Sequence, residues 1–148
     1  MPRLAQANIA RARAALDSPV MKDFVGQIDA MNALAERSPG FVWRLKTDAG
    51  DATSIRIYDD PLMIVNLSVW ESLATLKDYA YRSAHVAAFR RRHEWFEELP
   101  GASLALWWIP AGELPAATEV RRRLDLLDRL GPTPEAFTFR QPFPPPGG

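Results

Sequence analysis

Residues 62–70 read LMIVNLSVW. Side chains alternate along a strand, so Met63, Val65, Leu67 and Val69 share one face while Leu62, Ile64, Asn66, Ser68 and Trp70 share the other. Neither face is polar enough for water, and the strand is therefore predicted to be covered on both sides. Asn66 and Ser68 then sit inside an apolar layer. Each needs a partner, because an unsatisfied buried polar group costs ~1–3 kcal/mol.

The rest of the 148-residue chain must supply that cover, and this length suits one domain with a sizeable core. Residues 4–10 (LAQANIA) form a first strand in which Gln6 and Asn8 share a face. Ser18 and Pro19 start a helix, one as cap and the other at the first helical position. Val20, Phe24, Ile28, Met31 and Ala35 then recur at helical spacing until Ser38-Pro39-Gly40. Residues 41–46 (FVWRLK) form a second strand, with Phe41, Trp43 and Leu45 on one face and Val42 and Arg44 on the other. Turns then flank a short strand extension at residues 54–58.

Downstream of Trp70, helical turns run from Glu71 to Glu98 with a break near Arg82 and Ser83, and a last strand covers residues 103–110 (SLALWWIP). A further helix over 115–130 carries the apolar stripe Val120, Leu124 and Leu127 and stops at Gly131. The proline-rich tail contains Phe137, Phe139 and Phe143, so residues 136–143 are expected to dock as an extended segment. The domain organisation is one body over 1–131 followed by a docked tail over 132–148. The β-α-β-β-α-β order gives an α+β, four-stranded antiparallel sheet with both main helices on one face. Its other face would be bare, and a second copy packed against it would cover it.

Basic and acidic residues balance at 18 each, so no overall field favours nucleic acid or anionic lipid. The runs Arg90–Arg92 and Arg121–Arg123 lie in helical patterns with nearby Asp or Glu and read as solvated faces. Cysteine is absent, which removes disulfides, thiolate metal sites and a thiol nucleophile. No apolar run reaches the ~18 residues of a membrane span, and the first residues lack the apolar core of a signal peptide. A cytoplasmic protein without nucleic-acid or membrane partners is the expectation. There is no phosphate-cradling glycine loop and no serine nucleophile motif.

Among residues able to do chemistry, His85 sits with Tyr81, Ala84, Ala88 and Phe89 on an apolar helix face. A neutral imidazole there can ligate iron or move a proton near neutral pH, or can be a structural group bonded to a neighbour. His93 lies ~12 Å further along a continuous helix, too far to share a metal with His85. It is flanked by Arg92 and Glu94 and belongs at the surface. Asn8, Arg44, Asn66 and Ser68 are polar groups in buried-looking strands; they either satisfy one another or line a small-molecule pocket. Trp70 is the pocket candidate among the tryptophans, while Trp107 and Trp108 must point to opposite faces. Tyr79 and Tyr81 offer a phenol donor or simply pack. Glu94, Glu97 and Glu98 read as a solvated helix end.

The motifs LAQANIAR, PGFVWRL, NLSVWES, YRSAH with RRHEWF, LWWIPAG and GPTPEAFTFR span nearly the whole chain. With them the chain resembles an uncharacterised bacterial domain-of-unknown-function family within the dimeric α+β barrel (ferredoxin-like) superfamily. Characterised members of that superfamily include haem-degrading and antibiotic-biosynthesis monooxygenases. The resemblance implies a homodimeric α+β barrel with a pocket between sheet and helices, oxidative chemistry of the monooxygenase type, and haem as the cofactor if there is one. By the haem-degrading pattern, Asn8 matches the first-strand asparagine and His85 the iron ligand. Tyr79 stands where that pattern has a tryptophan, and the spacing from WES to His85 is shorter. In that reading His85, Asn8 and Tyr79 are catalytic, His85 holds the metal, and Trp70, Arg44, Asn66 and Ser68 surround the bound group. A non-catalytic binding or sensing module and a cofactor-free monooxygenase or isomerase are the alternatives.

Overall fold

A computed structural model describes residues 1–46, 57–82 and 90–146. In chain order its elements are β1 (Arg3–Ala12), a 3-10 turn (Pro19–Met21), α1 (Lys22–Glu36), β2 (Phe41–Arg44), β3 (Met63–Trp70) and α2 (Leu73–Arg82). They continue with α3 (Arg92–Trp95), β4 (Phe96–Glu97), β5 (Leu104–Ile109) and α4 (Ala117–Leu130). All strand pairs are antiparallel: β3 lies between β2 and β1, and β1 takes β5 along Arg3–Asn8 and β4 at Arg11–Ala12. This is the ferredoxin-like α+β sheet, with β5 as the fourth strand and β4 as a two-residue addition. No helix among the described residues is long and apolar enough to cross a membrane.

LMIVNLSVW is covered on both sides. One face gathers Leu4, Trp70 and Leu106 beneath Ala35 of α1, Leu76 of α2 and Phe137 of the tail. The other gathers Ala5, Ala7, Val65, Leu67, Val69 and Trp107. By element order alone this second face would be bare and would need another copy of the chain to cover it; in the structure α4 covers it from within. Val120, Leu124 and Leu127 of α4 lie on it, and Val69 and Trp107 are completely shielded in a single chain. The cause is the stripe itself, which buries against the nearest apolar surface. Asp128 holds α4 in place by accepting from the Ala102 N–H at 2.7 Å.

Several local expectations change. Phe41 pairs with Trp70 but Trp43 pairs with Val69, so a bulge at Val42 breaks the alternation of β2. Phe41 therefore packs on the helix side, Trp43 and Leu45 join the α4 side, and Arg44, opposite Ser68, returns to the helix side. Ser18 does not cap: its hydroxyl is buried without a partner, and the chain enters α1 through the 3-10 turn. That tighter turn also rotates Val20 out of the stripe into solvent. The helix expected to reach Glu98 stops at Trp95, because Phe96 and Glu97 pair with Ala12 and Arg11, and Arg11 bridges Glu97 and Asp60. Arg123, assigned to a solvated run, instead lies over the Trp107 ring at 5.2 Å and donates to the Glu135 carbonyl. Of the proposed extension at 54–58, residues 54–56 fall outside the described residues, and Ile57 and Tyr58 form a bend. The break placed near Arg82 and Ser83 also falls at the edge of the described chain.

The WES turn fixes α2 above Trp70. Ser72 Oγ accepts from the Thr75 N–H at 3.1 Å and Thr75 Oγ1 accepts from the Ser72 N–H at 3.3 Å, a reciprocal cap. Gly40 (φ +83°) lies directly beneath, and a Cβ there would come within 2.4 Å of Thr75. Only glycine permits both that conformation and that approach. The Glu71 N–H donates to the Gly40 carbonyl at 2.7 Å, closing the contact.

Candidate functional site

Across the helix-facing side of the sheet run two rows that are not apolar. Arg44, Ser68 and Gln6 are register partners on β2, β3 and β1, and Asn66 and Asn8 form the next row. Trp70 Nε1 donates to Ser68 Oγ at 2.9 Å, Ser68 Oγ donates to Gln6 Oε1 at 3.0 Å, and Gln6 Nε2 donates to Asn8 Oδ1 at 2.8 Å. With its amide turned, Gln6 instead donates to Asn66 Oδ1 at 3.1 Å and to Ser68 Oγ at 3.0 Å. In either orientation Gln6 is the junction. It is absent from the candidates drawn from sequence, although its position two residues before Asn8 on the same strand face was the signal for it.

Burial falls along this strip. Trp70 is 1% exposed, Ser68 6% and Gln6 7%, Asn8 is half-buried, and Asn66 is exposed. Asn66 therefore departs from the expectation of a buried residue: the packing that seals the Trp70 end does not extend over its row. The result is a hydrogen-bonded ladder that starts in the core and ends at two amides within reach of solvent. Arg44 terminates the inner row. Its side chain is only 10% exposed, its Nη2 lies 3.6 Å from Glu36 Oε1, and its Nε is buried without a partner. An orphaned buried donor of that kind costs about 1–3 kcal/mol.

The Trp70 indole is stacked by Tyr79 at 5.1 Å and met edge-on by Phe41 at 5.5 Å. The Tyr79 hydroxyl donates to the Met31 carbonyl at 3.4 Å. Burial pushes its pKa up to about 12, so near neutral pH it is a proton donor and not a base. Raising the pKa of a phenol means the unfolded chain ionises first, so Tyr79 withdraws stability as pH rises from 10 towards 12. A titration at 295 nm of the protein minus its Tyr79→Phe variant is expected to show one phenol with a midpoint of about 12; a midpoint at 10 would mean the ring is open to water.

His85, the expected iron ligand and acid–base group, lies outside the described residues. His93 is at the surface as anticipated, its carbonyl accepting from Arg13 Nε at 2.8 Å. Among the described residues no group of three His, Asp or Glu side chains could hold a metal ion. Trp70 and Tyr79, expected as the wall of a bound group, are stacked on one another, and the residue expected to hold iron is not among those described. Two clefts lie elsewhere. One of about 480 Å³ separates the start of α2 from the proline-rich tail, and one of about 750 Å³ is an open trough along the outer face of α4. Neither is lined by the strip.

A family model described as a domain of unknown function, DUF3291, matches residues 3–148. The chain belongs to that family. No curated protein matches it in sequence. Among solved structures, a protein of unknown function from Nitrosomonas europaea is 14% identical with a TM-score of 0.52, over 79% of this chain and 98% of its own. SnoaB, a cofactor-independent oxygenase from Streptomyces nogalater, is 14% identical with a TM-score of 0.51, over 77% of this chain and 97% of its own. At such identities the likeness is one of fold, and it agrees with the ferredoxin-like sheet found here. In the DUF3291 chain, then, the described residues bring together Asn8, Asn66, Ser68, Trp70 and Tyr79, with Gln6 as their link and Arg44 at the end of the row.

Proposed function

We propose that this protein binds a small organic molecule over the outer end of the amide strip, where Asn8 and Asn66 hold its oxygen atoms. We further propose that its chemistry is oxygenation of a substrate that supplies its own electrons. The observation that carries the reading is the strip itself: a sheet face buried against helices gives up apolar packing for a directed ladder ending in two reachable amides. The likeness in fold to SnoaB supports the choice of chemistry over a haem route. In such a reaction the substrate loses an electron pair and two protons, one atom of dioxygen enters the product and the other leaves as water. The residues need only hold the substrate, exclude bulk water and move protons. Tyr79, protonated and stacked on Trp70, keeps the inner wall dry, while His85 is the proposed proton acceptor on the strength of the family resemblance alone.

The site so defined is one chain's own. The pairing of two copies inferred from a bare sheet face is not needed to cover that face, which α4 covers; a homodimer stays part of the proposal on the strength of the family resemblance. An oxygen electrode with polyhydroxylated naphthalenes tests the proposal: uptake above the protein-free rate is expected, falling by about 10²-fold or more in His85→Ala. Quenching of tryptophan fluorescence by the same compounds with no oxygen uptake would replace the enzyme with a non-catalytic binding module.

A further inference from the structure

We infer that the ligand of this strip carries an anionic oxygen, a carboxylate or phenolate, and that Arg44 is the residue that pairs with it. The inference rests on the small-molecule reading above and adds the charge of the molecule bound. Arg44 brings a permanent cation to the helix-facing side of the sheet, where its side chain is nine-tenths buried. Its neighbours in the row are already committed: Ser68 Oγ accepts from Trp70 Nε1, and Ser68 and Gln6 bond one another in either orientation of the Gln6 amide. Among the described residues its carboxylate neighbour is Glu36, at the end of α1, which stands 3.6 Å away with its own side chain 42% exposed. That distance exceeds a charge-assisted hydrogen bond, and the buried Arg44 Nε–H finds no acceptor among the described residues. Arg123 also leaves its Nε unpaired, but its guanidinium lies over the Trp107 ring and donates to the Glu135 carbonyl at 2.7 Å, whereas the Arg44 guanidinium faces Glu36 at 3.6 Å.

The next row supplies amide donors on the same face, at Asn8 and Asn66. Strands ~4.8 Å apart place these within one small molecule's span of the guanidinium. A carboxylate or phenolate oxygen satisfies the planar fork of Arg44 while the remainder of the molecule lies along the amides. The charge also agrees with the proposed chemistry, because an ionised phenol gives up electrons more readily than a neutral one.

The test compares 2-naphthoate with its neutral isostere 2-naphthamide by calorimetric titration of the full chain. The wild type is expected to bind the anion about tenfold more tightly than the amide at low salt. Arg44→Met should bring the two within about twofold, whereas Arg44→Lys, which restores the charge without the fork, should recover part of the preference. Replacing a buried charge by an apolar side chain is often neutral or stabilising, and circular dichroism confirms that each variant is folded. Equal affinities in the wild type, or a preference that survives in Arg44→Met, overturn the inference and leave a small-molecule site standing. Binding of neither probe also overturns it, and the oxygen assay then judges separately the reading on which it rests.

Discussion

Leu124→Ala is expected to lower the stability of this protein by about 2–5 kcal/mol, and its melting temperature by roughly 10 °C. Leu124 is 2% exposed and lies at the centre of the α4 stripe, against the sheet face that holds Ala5, Leu67 and Trp107. Alanine is the better helix former, so the loss cannot come from helix propensity. It comes from the cavity opened between α4 and the sheet. Leu130, on the same helix and 64% exposed, provides the control: Leu130→Ala should stay within about 0.5 kcal/mol of wild type. Thermal melts followed by circular dichroism would decide the matter, and equal losses in the two variants would mean that α4 does not rest on the sheet.

The second large effect belongs to the tail. Phe137 is fully buried, and its backbone pairs with Leu106 through hydrogen bonds of 2.8 and 2.9 Å. Its ring lies 6.5 Å from Trp108 and 5.8 Å from Phe143. Phe137→Ala should therefore cost about 3–5 kcal/mol, read as a lower urea midpoint with an unchanged slope. Phe143 is only half-buried, although its carbonyl accepts from Trp108 Nε1 at 2.9 Å. Its replacement by alanine should cost less, since the backbone bond survives. A Phe137→Ala midpoint no lower than that of Phe143→Ala would contradict the docking.

What could be read from residues alone divides by the range of the interaction that decides it. The alternation in LMIVNLSVW was enough to predict a strand covered twice, and the stripe Val120, Leu124 and Leu127 was enough to predict a helix. Where that helix lands was not legible, because any apolar surface satisfies a stripe. Phe41, Val42, Trp43 and Arg44 alternate cleanly as letters; the bulge that reverses Trp43 shows only in the pairing of β2 with β3. The strand at Phe96 and Glu97 exists because Arg11, far away in sequence, pairs with Glu97. As for the candidate site, Asn8, Asn66, Ser68 and Trp70 were visible as polar or amphipathic groups in apolar strands. Gln6 shares their face two residues before Asn8, but its role as the junction needs the register of β1 against β3.

The position of β1 has a consequence for how the protein is made. This segment is synthesised before its partners, yet it occupies the middle of the sheet and is flanked by β3 and β5, which follow much later in the chain. Its outer cover on both sides, α4 and Phe137, comes later still. Contacts so distant along the chain form slowly, and their apolar surfaces stay open in the meantime. The nascent chain should therefore depend on holding chaperones until α4 and Phe137 have been added, and chains cut short before Ala117 should accumulate as aggregates.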